Sequence, residues 1–423
     1  MKIIADLHVH SKYSRATSKD MDSDSIALWA HRKGINLVGT GDFTHPTYLK
    51  ELKKNLAPSA NGLFKLKESN NNVHFMLTTE LSNIYSYRGK TRRIHNILTA
   101  PSFEAVDKIN SALSRFGRLD YDGRPIFGFN AKELVKLVMD VSDMCMVIPA
   151  HAWTPWYSVF GSNSGFDSIE ECFEEQSKHI HAIETGLSSD PPMNWRLEAL
   201  DRITLISNSD AHSPEKLGRE ANVLECGMSY SDIISTIKTK DNKRFLYTIE
   251  FFPEEGKYHF DGHRNCKISF SPEQTNQHAG LCPVCGRPLT IGVLNRVEKL
   301  ATRKDGIVPD NAIPFKHLIP LKEIMADILA VGVNTVKVNK MYTESVIDKG
   351  ISELDILLNI SAQELKHIMP DTMANSIISS RNGMVKRVPG YDGVYGRISV
   401  LKNMKQEKQQ SLFQSKGGND GTC

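Results

Sequence analysis

The sequence predicts an α/β barrel, followed by a small zinc-binding module and an α-rich C-terminal domain. Three observations predict this order. Apolar runs that end in His, Asp or Glu recur through the N-terminal half of the 423 residues. A cluster of His and Cys with the spacing of zinc ligands follows them. After that cluster, apolar residues recur at helical spacing.

The first motif is H-x-H in the predicted strand from Lys2 to Val9. Because side chains alternate along a strand, His8 and His10 lie on one face, where two imidazoles can share a divalent cation cluster. Later apolar runs end in Asp42, His45, Glu80, His95, His151, Asp210 and His212. Strand ends meet at one rim of a (β/α) barrel, so we expect these side chains to converge there. A lone histidine is more often a hydrogen-bonded core residue, and it is the repetition that predicts a metal site.

This mixture of ligands suits hydrolysis by metal-activated water. Imidazole and carboxylate groups bind Zn and Mn, and carboxylates also bind Mg. A carboxylate such as Glu80 or Asp210 can bridge two cations about 3.5–4 Å apart, and such a pair activates water for attack on phosphorus. We therefore expect His8, His10, Glu80 and Asp210 to carry catalysis. The sequence has no G-x-S-x-G elbow and no G-x-x-x-x-G-K-[ST] loop, so NTP-driven chemistry is not expected.

Composition sets the outer bounds. A chain of 423 residues, 40% hydrophobic and 24% charged, suits two or three domains with their own cores. No apolar run reaches the roughly 18 residues of a membrane span, and the N-terminus lacks the apolar stretch of a signal peptide, so we expect a cytoplasmic, nucleoid-associated protein. The net charge is only +3, so polyanion binding would have to be local. The scattered cysteines, which agree with reduced thiols, are Cys145, Cys172, Cys226 and Cys423.

The other three cysteines lie in a turn-rich segment that predicts a structural zinc site. The expected ligands are His263, Cys266, Cys282 and Cys285. Paired ligands separated by two residues are typical of zinc knuckles, and four protein ligands leave no open position for substrate. The nearby His259 and Asp261 are alternatives to His263 as the fourth ligand. The C-P-V-C-G turn is tight, and its backbone amides can point at the thiolates.

Three segments have the features of a DNA-binding surface. After the helical region, a glycine-punctuated stretch mixes basic and aromatic side chains, which suits a loop that follows a nucleic-acid backbone and stacks on bases. Its expected contact residues are Arg381, Lys386, Arg387, Tyr391, Tyr395 and Arg397. A second basic run, well placed to hold phosphate between Glu80 and His95, consists of Arg88, Lys90, Arg92 and Arg93.

The third segment is the aromatic loop that directly follows His151. Its Trp153 and Trp156 are candidates for a pocket or wedge that receives an extruded base. A hydrophobic lid over the barrel is an equally good interpretation of these tryptophans.

The metal motifs together resemble a PHP (polymerase and histidinol phosphatase) domain over residues 1–250. The matching motifs are D-L-H-V-H-S at the N-terminus, a later Glu and His, P-A-H, and S-D-A-H. The resemblance implies a distorted (β/α)7 barrel whose rim carries two or three metals and cleaves phosphoesters. The ligands carried over are His8, His10, Glu80, His95, His151, Asp210 and His212. Where many PHP domains have an Asp-His pair, this chain has Asp42-Phe43 followed by His45, so either Asp42 or His45 is the expected ligand. The usual third-metal ligand has no clear counterpart at Ser14-Arg15.

The order of these parts, ending in P-G-Y-D-G-V-Y-G-R, resembles the endonuclease Q family over nearly the whole chain. The resemblance implies nicking of DNA on the 5′ side of deaminated bases (hypoxanthine, uracil, xanthine) and at abasic sites, leaving 3′-hydroxyl and 5′-phosphate ends. The expected domains are a PHP domain at 1–250, a zinc-knuckle module at 251–295, a helical DNA-binding domain at 296–401 and a disordered tail at 402–423.

The tail adds an expected partner, and rival functions remain. Gln409, Leu412 and Phe413 resemble the Q-x-x-L-F peptide that docks on the bacterial β sliding clamp. A PHP phosphatase for a small phosphomonoester and a 3′–5′ exonuclease would use the same metal rim. A third alternative is a DNA-damage-binding protein without catalysis. The zinc module, the helical domain and the basic aromatic loop disfavour the phosphatase, because a small substrate needs none of them.

Overall fold

The computed structural model describes residues 1–400. The predicted α/β class with a central sheet is confirmed. The strands are β1 (Lys2–Asp6), β2 (Leu37–Gly39), β3 (Leu56–Ala60), β4 (Leu63–Leu66), β5 (His74–Tyr87), β6 (Lys90–Ala100), β7 (Ile126–Phe127), β8 (Met146–Pro149), β9 (Ala182–Glu184), β10 (Thr204–Ile206), β11 (Ala221–Glu225), β12 (Phe245–Glu250), β13 (Asp261–His263), β14 (Ile268–Phe270), β15 (Phe315–His317), β16 (Val385–Val388) and β17 (Arg397–Val400).

The helices lie between these strands and, in the C-terminal part, follow one another. They are α1 (Ser23–Lys33), α2 (Pro46–Asn55), α3 (Phe103–Leu113), α4 (Ala131–Val141), α5 (Ile169–Phe173), α6 (Pro191–Trp195), α7 (Tyr230–Lys238), α8 (Pro272–Gln277), α9 (Val293–Leu300), α10 (Leu321–Leu329), α11 (Val336–Tyr342), α12 (Glu353–Leu358), α13 (Ala362–Ile368) and α14 (Asp371–Arg381). Local signals set their ends: the Asp22 side chain accepts from Ser25 N at the start of α1, and Gly34 ends that helix at φ 88°.

Within residues 1–400, eleven strands form one mixed sheet. Its centre is parallel, since β1 pairs with β2 and β2 with β5. Strands β11 and β12 continue antiparallel beyond β1. On the other side the long strand β5 pairs along its whole length with β6, which pairs in turn with β8.

One face of this sheet surrounds a single apolar cluster. Ile3 and Ala5 of β1 and Leu7, directly after it, lie in this cluster, as the period-two pattern predicts. Residues of β5, β6, β8, β9 and β10 join the same cluster, together with one side of α7. In the described residues, however, β9 and β10 pair only with each other. The side chains of these strands converge on one cluster, as they do in a barrel. Because β9 and β10 do not pair with the main sheet within residues 1–400, the closed (β/α)7 ring stays a prediction.

The C-terminal part is attached to the central sheet. Strand β15, which lies in the predicted helical domain, pairs parallel with β12 at the sheet edge. The predicted boundaries at residues 250 and 295 stay predictions, but the segments on either side of them share one sheet.

The basic aromatic stretch forms the hairpin β16–β17 and packs on the zinc module. Gly390 N donates to Glu254 O at 2.8 Å, and Gly393 N donates to Lys257 O at 3.0 Å. The Asp392 carboxylate accepts from Arg264 N and from Thr290 Oγ1, both at 2.7 Å. The hairpin turn is thus fixed by the segment around the zinc ligands.

Two predictions concern the membrane and the tail. Among the helices of residues 1–400, none combines the length and apolar composition that crossing a membrane requires. The clamp-binding peptide with Gln409, Leu412 and Phe413 lies outside the described residues.

Three carboxylates, Glu184, Glu220 and Glu250, are fully buried. Burial raises the pKa of Glu250 to about 8. Burial, together with the charge of Glu250, raises the pKa of Glu220 well above its usual value. The fold therefore favours the neutral form of both side chains.

We expect Glu250→Gln to flatten the pH dependence of stability. The fold raises the pKa of Glu250 from 4.5 to about 8. The resulting contribution of Glu250 to the free energy of unfolding is fully present below pH 4.5 and is lost as the pH rises through about 8. Glutamine cannot ionise, so the variant should lose less free energy of unfolding than the wild type, by about 1 kcal/mol or more, between roughly pH 5 and 9. Urea unfolding at both pH values measures this. The control is Glu225→Gln at the exposed end of β11, and equal pH slopes in all three proteins would contradict the prediction.

Candidate metal centre and zinc module

The end of β1 and the segment after β10 run side by side at the rim of the sheet. Val9 and Ala211 form a parallel bridge, and Leu7 N donates to Asn208 Oδ1 at 2.8 Å. This pairing brings the H-x-H motif next to Asp210. Asp210 has φ 47° and His151 has φ 30°, a conformation that non-glycine residues rarely adopt and that is often found at functional sites.

The first ligand cluster consists of His8, His10 and Asp210, whose ligand atoms lie within 4.8 Å of one another. Asp210 Oδ1 is 3.0 Å from His10 Nε2 and 3.7 Å from His8 Nε2. Two imidazole nitrogens and a carboxylate oxygen thus converge on one point.

The second cluster consists of Glu80, His95 and His151. Glu80 Oε1 is 2.8 Å from His95 Nδ1 and 3.0 Å from His151 Nε2. The other oxygen, Oε2, is 3.4 Å from His10 Nε2, so Glu80 lies between the two clusters. Glu80 and His95 are in the middle of β5 and β6, not at strand ends as the sequence predicts.

Buried carboxylates orient the two histidines of the first motif. His8 Nδ1 is 3.0 Å from Glu184 Oε2, and His10 Nδ1 is 3.2 Å from Asp42 Oδ1. Each ring therefore directs Nε2 into the cluster. His8 Nε2, His10 Nε2 and Asp210 Oδ1 are buried and have no hydrogen-bond partner among the described residues. Nitrogen and carboxylate donors that converge without partners fit a divalent cation such as Zn or Mn.

The electrostatics of the centre follow from this concentration of carboxylates. Burial opposes a positive charge on His8, but the charges of Glu184 and Glu80 outweigh it and raise the pKa of His8 well above its usual value. Burial raises the pKa of Glu80, but His95 and Arg124 outweigh it and hold that pKa well below the usual range. Burial lowers the pKa of His95 to about 4. The buried carboxylates thus favour positively charged neighbours, such as protonated imidazoles or bound cations.

Of the two alternatives for the second motif, neither Asp42 nor His45 belongs to these clusters. Asp42 is fully buried and accepts from Ser11 N at 2.6 Å and from Ser14 Oγ at 2.8 Å. Its oxygens are engaged, which favours an orienting role for Asp42 over direct ligation. His45 caps α2, since its Nδ1 accepts from Tyr48 N at 3.4 Å.

The remaining predicted ligand, His212, lies at the edge of the rim. Its side chain is 33% exposed, and its ring centroid is 4.5 Å from that of His10. His212 Nδ1 is 2.9 Å from the backbone oxygen of Asp210. It is therefore close enough to the first cluster to face a substrate or a further metal.

Two residues of the centre are missing from the sequence-based set. Glu184 ends β9 after two apolar residues, the same pattern that identified the other ligands, so a signal for it was present. Arg124 Nη1 donates to Glu80 Oε2 at 3.0 Å. It lies in an irregular segment between α3 and β7, and only the fold brings it to the centre.

The zinc-module residues come together as a separate cluster. The ligand atoms of His263, Cys266, Cys282 and Cys285 lie within 4.8 Å of one another, a donor set that fits Zn. Burial raises the pKa of the Cys282 thiol, but backbone N–H groups of Cys285 and Val284 outweigh it and lower the pKa to about 6. Asp261, one alternative ligand, instead accepts from Gly292 N at 2.6 Å. The geometry thus favours His263 as fourth ligand.

Two predicted DNA-contact residues make contacts inside the fold. Trp153 is 1% exposed and its Nε1 donates to Asn194 Oδ1 at 2.8 Å. The Arg381 guanidinium donates to backbone oxygens at the end of α12, at 2.6–2.8 Å. These contacts favour a structural role for both side chains, although Arg381 is only half-buried.

The other predicted contact residues lie nearer the surface. Trp156 is 38% exposed and Tyr395 is 70% exposed. In the β5–β6 hairpin, Arg88 and Lys90 are exposed at the tip. Four arginines have partners within the protein. Arg92 stacks on Phe166 and Arg93 on Tyr157, while Arg387 pairs with Glu254 and Arg397 with Asp327. Tyr391 is half-buried, and Lys386 is exposed on β16.

Comparison with known proteins gives matches over nearly the whole chain. The crystal structure of the lesion-specific endonuclease PfuEndoQ from Pyrococcus furiosus is similar with a TM-score of 0.85 and 30% sequence identity, covering 98% of this chain and 99% of that chain. The structure of endonuclease Q in complex with a 27-mer duplex substrate, with an abasic lesion at the active site, has a TM-score of 0.83 and 31% identity and covers 95% and 97%.

Two further matches cover parts of the chain. The uncharacterised protein MJ0043 of Methanocaldococcus jannaschii is 34% identical over 295 residues, and the match covers 67% of this chain and 35% of that protein. This chain thus spans about a third of the length of that relative. The family described as the MJ0043 C-terminal domain matches residues 320–384.

The two endonuclease Q structures match 98% and 95% of this chain. The similarity is therefore not confined to the segments that carry the metal centre. The chain belongs to the endonuclease Q family.

Proposed function

We propose that this protein is a metal-dependent DNA repair endonuclease that hydrolyses the phosphodiester on the 5′ side of a damaged nucleotide. The damaged nucleotides are abasic sites and the deaminated bases hypoxanthine, uracil and xanthine. The products carry a 3′-hydroxyl and a 5′-phosphate. The centre sits on a distorted (β/α)7 PHP barrel at residues 1–250, followed by the zinc module at 251–295 and the helical DNA-binding domain at 296–401.

The observation that carries this proposal is the position of Glu80 between two clusters of ligand atoms. Its two oxygens lie 2.8 Å from His95 Nδ1 and 3.4 Å from His10 Nε2. One carboxylate shared by two ligand sets is the arrangement expected of a site for neighbouring divalent cations. Membership of the endonuclease Q family supports DNA as the substrate.

Each residue of the centre has a defined part in this chemistry. Divalent cations bound here would stabilise charge on the phosphodiester oxygens and lower the pKa of an attacking water. Glu184 and Asp42 hold the rings of His8 and His10 in the orientation that turns Nε2 inward. Asp210 closes the first cluster on the side open to solvent, where its side chain is 28% exposed.

A groove beside the centre suits an extruded nucleotide. It has a volume of about 550 Å³ and is lined by Trp156, Tyr258, Asn163 and Asn295, with other residues. Trp156 and Tyr258 pack edge to face with ring centroids 5.4 Å apart. The neighbouring Tyr157 lies 4.7 Å from the ring of His95, so the loop connects the groove to the metal centre. Aromatic and amide groups of this kind stack on a base and bond its edge.

Four of the remaining predicted contact residues are exposed. The exposed Arg88, Lys90, Lys386 and Tyr395 are proposed to follow the DNA backbone on either side. Binding of the tail peptide to a β sliding clamp is also part of the proposal.

Cleavage of end-labelled duplexes tests the function directly. Each duplex carries one hypoxanthine, uracil or abasic site, with undamaged DNA alongside, in added Mg or Mn and after chelation. A single metal-dependent nick immediately 5′ of the lesion supports the endonuclease. Progressive shortening from 3′ ends would favour the exonuclease, and hydrolysis of small phosphomonoesters alone would favour the phosphatase. Binding to lesions without hydrolysis would favour the damage-binding protein.

We expect His8→Ala to reduce cleavage by more than about 100-fold, because loss of an orienting partner alone typically costs about 10–100-fold. Affinity for lesion DNA, measured by fluorescence anisotropy, should stay within a few-fold of the wild type. Glu184→Gln should reduce cleavage by about 10–100-fold for the same reason. The matched control is His31→Ala at an exposed position of α1. Full activity of His8→Ala would contradict the assignment.

We expect Cys282→Ser to remove the zinc ion of the module and leave the rim metals in place. Structural zinc contributes directly to folding, so the variant should unfold at a lower temperature and bind DNA more weakly. Metal content by mass spectrometry and thermal unfolding measure both effects. Cys226→Ser, another buried thiol outside the cluster, is the control. Loss of the rim metals together with the zinc would count against two separate sites.

We expect Trp156→Ala to weaken binding of lesion DNA by about 1–3 kcal/mol, the usual range for loss of aromatic stacking on a base. Because Trp156 is 38% exposed, the melting temperature should change little. Trp153→Ala should instead destabilise the protein by about 3–5 kcal/mol, since it empties a buried site. Phe116→Ala, an exposed aromatic packed on Phe129, serves as the control for DNA binding. Equal DNA affinity of Trp156→Ala and Phe116→Ala would exclude the groove.

A further inference from the structure

The segment from Asp120 to Pro125 crosses the rim of the metal centre and is fixed on both sides. Gly123 N donates to Tyr13 O at 3.1 Å, and Thr44 Oγ1 donates to Gly123 O at 3.3 Å. Ser82 N donates to Pro125 O at 3.0 Å. We call this segment the rim strap.

The strap packs directly on the residues that orient His10. A Cβ atom at Gly123 would collide with the Asp42 carboxylate and the Ser14 hydroxyl, so glycine alone fits there. Arg124 is the next residue in the chain after Gly123. Its side chain enters the centre from a backbone that the neighbouring residues hold in place.

Arg124 supplies fixed positive charge to the centre. Its Nη1 lies 3.0 Å from Glu80 Oε2, and its side chain is 27% exposed. In the part of the chain that the structure describes, no other arginine or lysine pairs with Glu80 or Asp210. A cation held by Glu80 would neutralise its charge and leave the guanidinium, which is open to solvent, available to a second anion. A guanidinium placed in this way matches the geometry of phosphate oxygens.

A second arginine is held beside Arg124 by one buried carboxylate. Asp122 Oδ1 accepts from Arg124 N at 3.1 Å and from Arg15 N at 3.3 Å. Asp122 Oδ2 lies 3.5 Å from Arg15 Nε, and the Arg15 side chain is 62% exposed. The Arg15 guanidinium also stacks on Tyr121 at 4.3 Å from the ring centroid, and Tyr121 is 58% exposed. The pair forms a cationic and aromatic surface next to the centre.

We propose that the rim strap and Arg15 form a clamp for two neighbouring phosphates of the cut strand, with Arg124 on the scissile phosphate and Arg15, backed by Tyr121, on the next one. This rests on the proposed function, because it takes a DNA strand as the ligand. The clamp adds a sequence-independent grip to the groove that reads the lesion. It gives a role to Asp122, which binds the Arg15 side chain and the backbone N–H of Arg124.

Single-turnover cleavage of the abasic duplex by metal-loaded protein tests the clamp. Arg124→Gln is expected to lower the maximal rate by about 100-fold, as for other groups that stabilise charge in the transition state, with little change in the half-saturating concentration. Arg124→Lys should restore part of the rate. Arg15→Gln is expected to raise the half-saturating concentration several-fold, and to reduce the slope of log affinity against log salt by about one, because one phosphate contact is lost.

The matched control is Arg118→Gln. Arg118 is exposed, lies just before the rim strap and pairs with Asp120, the first residue of the strap. The variant should resemble the wild type in rate and salt slope. Metal content and melting temperature of all variants are measured alongside. Retention of both rim metals and of stability in Arg124→Gln supports contact with substrate, whereas loss of metal from it would assign the residue a structural role and overturn the proposal.

The two proposals fail in different ways. If the wild type cuts lesion DNA and Arg124→Gln cuts it equally fast, the proposed function stands and the clamp is wrong. If Arg15→Gln keeps the salt slope of the wild type, the clamp is also wrong. If the wild type cuts no lesion duplex, the proposed function fails, and the salt slope of DNA binding still decides whether Arg15 contacts a phosphate.

Discussion

The metal centre depends on one electrostatic constraint, the burial of several carboxylates with little fixed positive charge to match them. Asp42, Glu80 and Glu184 are at most 1% exposed. Among the described residues, Arg124 is the one arginine or lysine that pairs with any of them. Leaving a charge buried and uncompensated costs several kcal/mol. The balance must therefore come from protonated histidines or from bound cations, and a cation that displaces those protons would find its ligands already in place.

The parts of this centre that the sequence predicts are those that depend on local pattern. Alternation in the extended segment after β1 places His8 and His10 together, and the bridge between Val9 and Ala211 brings Asp210 to them. The α/β class follows from the same apolar runs. Glu80 and His95 were identified as ligands, but they lie within a long hairpin because β5 and β6 extend well past the sheet edge. Short apolar runs do not reveal where a strand ends.

The parts that the sequence does not predict depend on long-range packing. Trp153 appears as an aromatic in a glycine-rich loop, yet Asn194 accepts its N–H and the surrounding core buries it. Arg381 appears as one of several basic residues, yet it caps a helix that lies about twenty residues earlier, at Ile356 to Ile360. Exposure of an arginine or tryptophan is decided by which element packs beside it, and a single sequence carries little information on that choice. Arg124 shows the reverse case, where an irregular segment brings a charge into the centre.

Helix α9, which directly follows the predicted zinc ligands, contacts the loop that follows His151. Arg296 of α9, which is 7% exposed, donates to Phe160 O at 2.9 Å and to Phe166 O at 3.0 Å. It also pairs with Asp167 at 2.6 Å. A buried guanidinium with three acceptors in one loop fixes that loop to the helix that begins directly behind the zinc ligands. The same loop carries Tyr157, whose ring packs against His95. Helix α9 therefore holds a loop that packs on the metal centre, without contacting a predicted ligand of that centre itself.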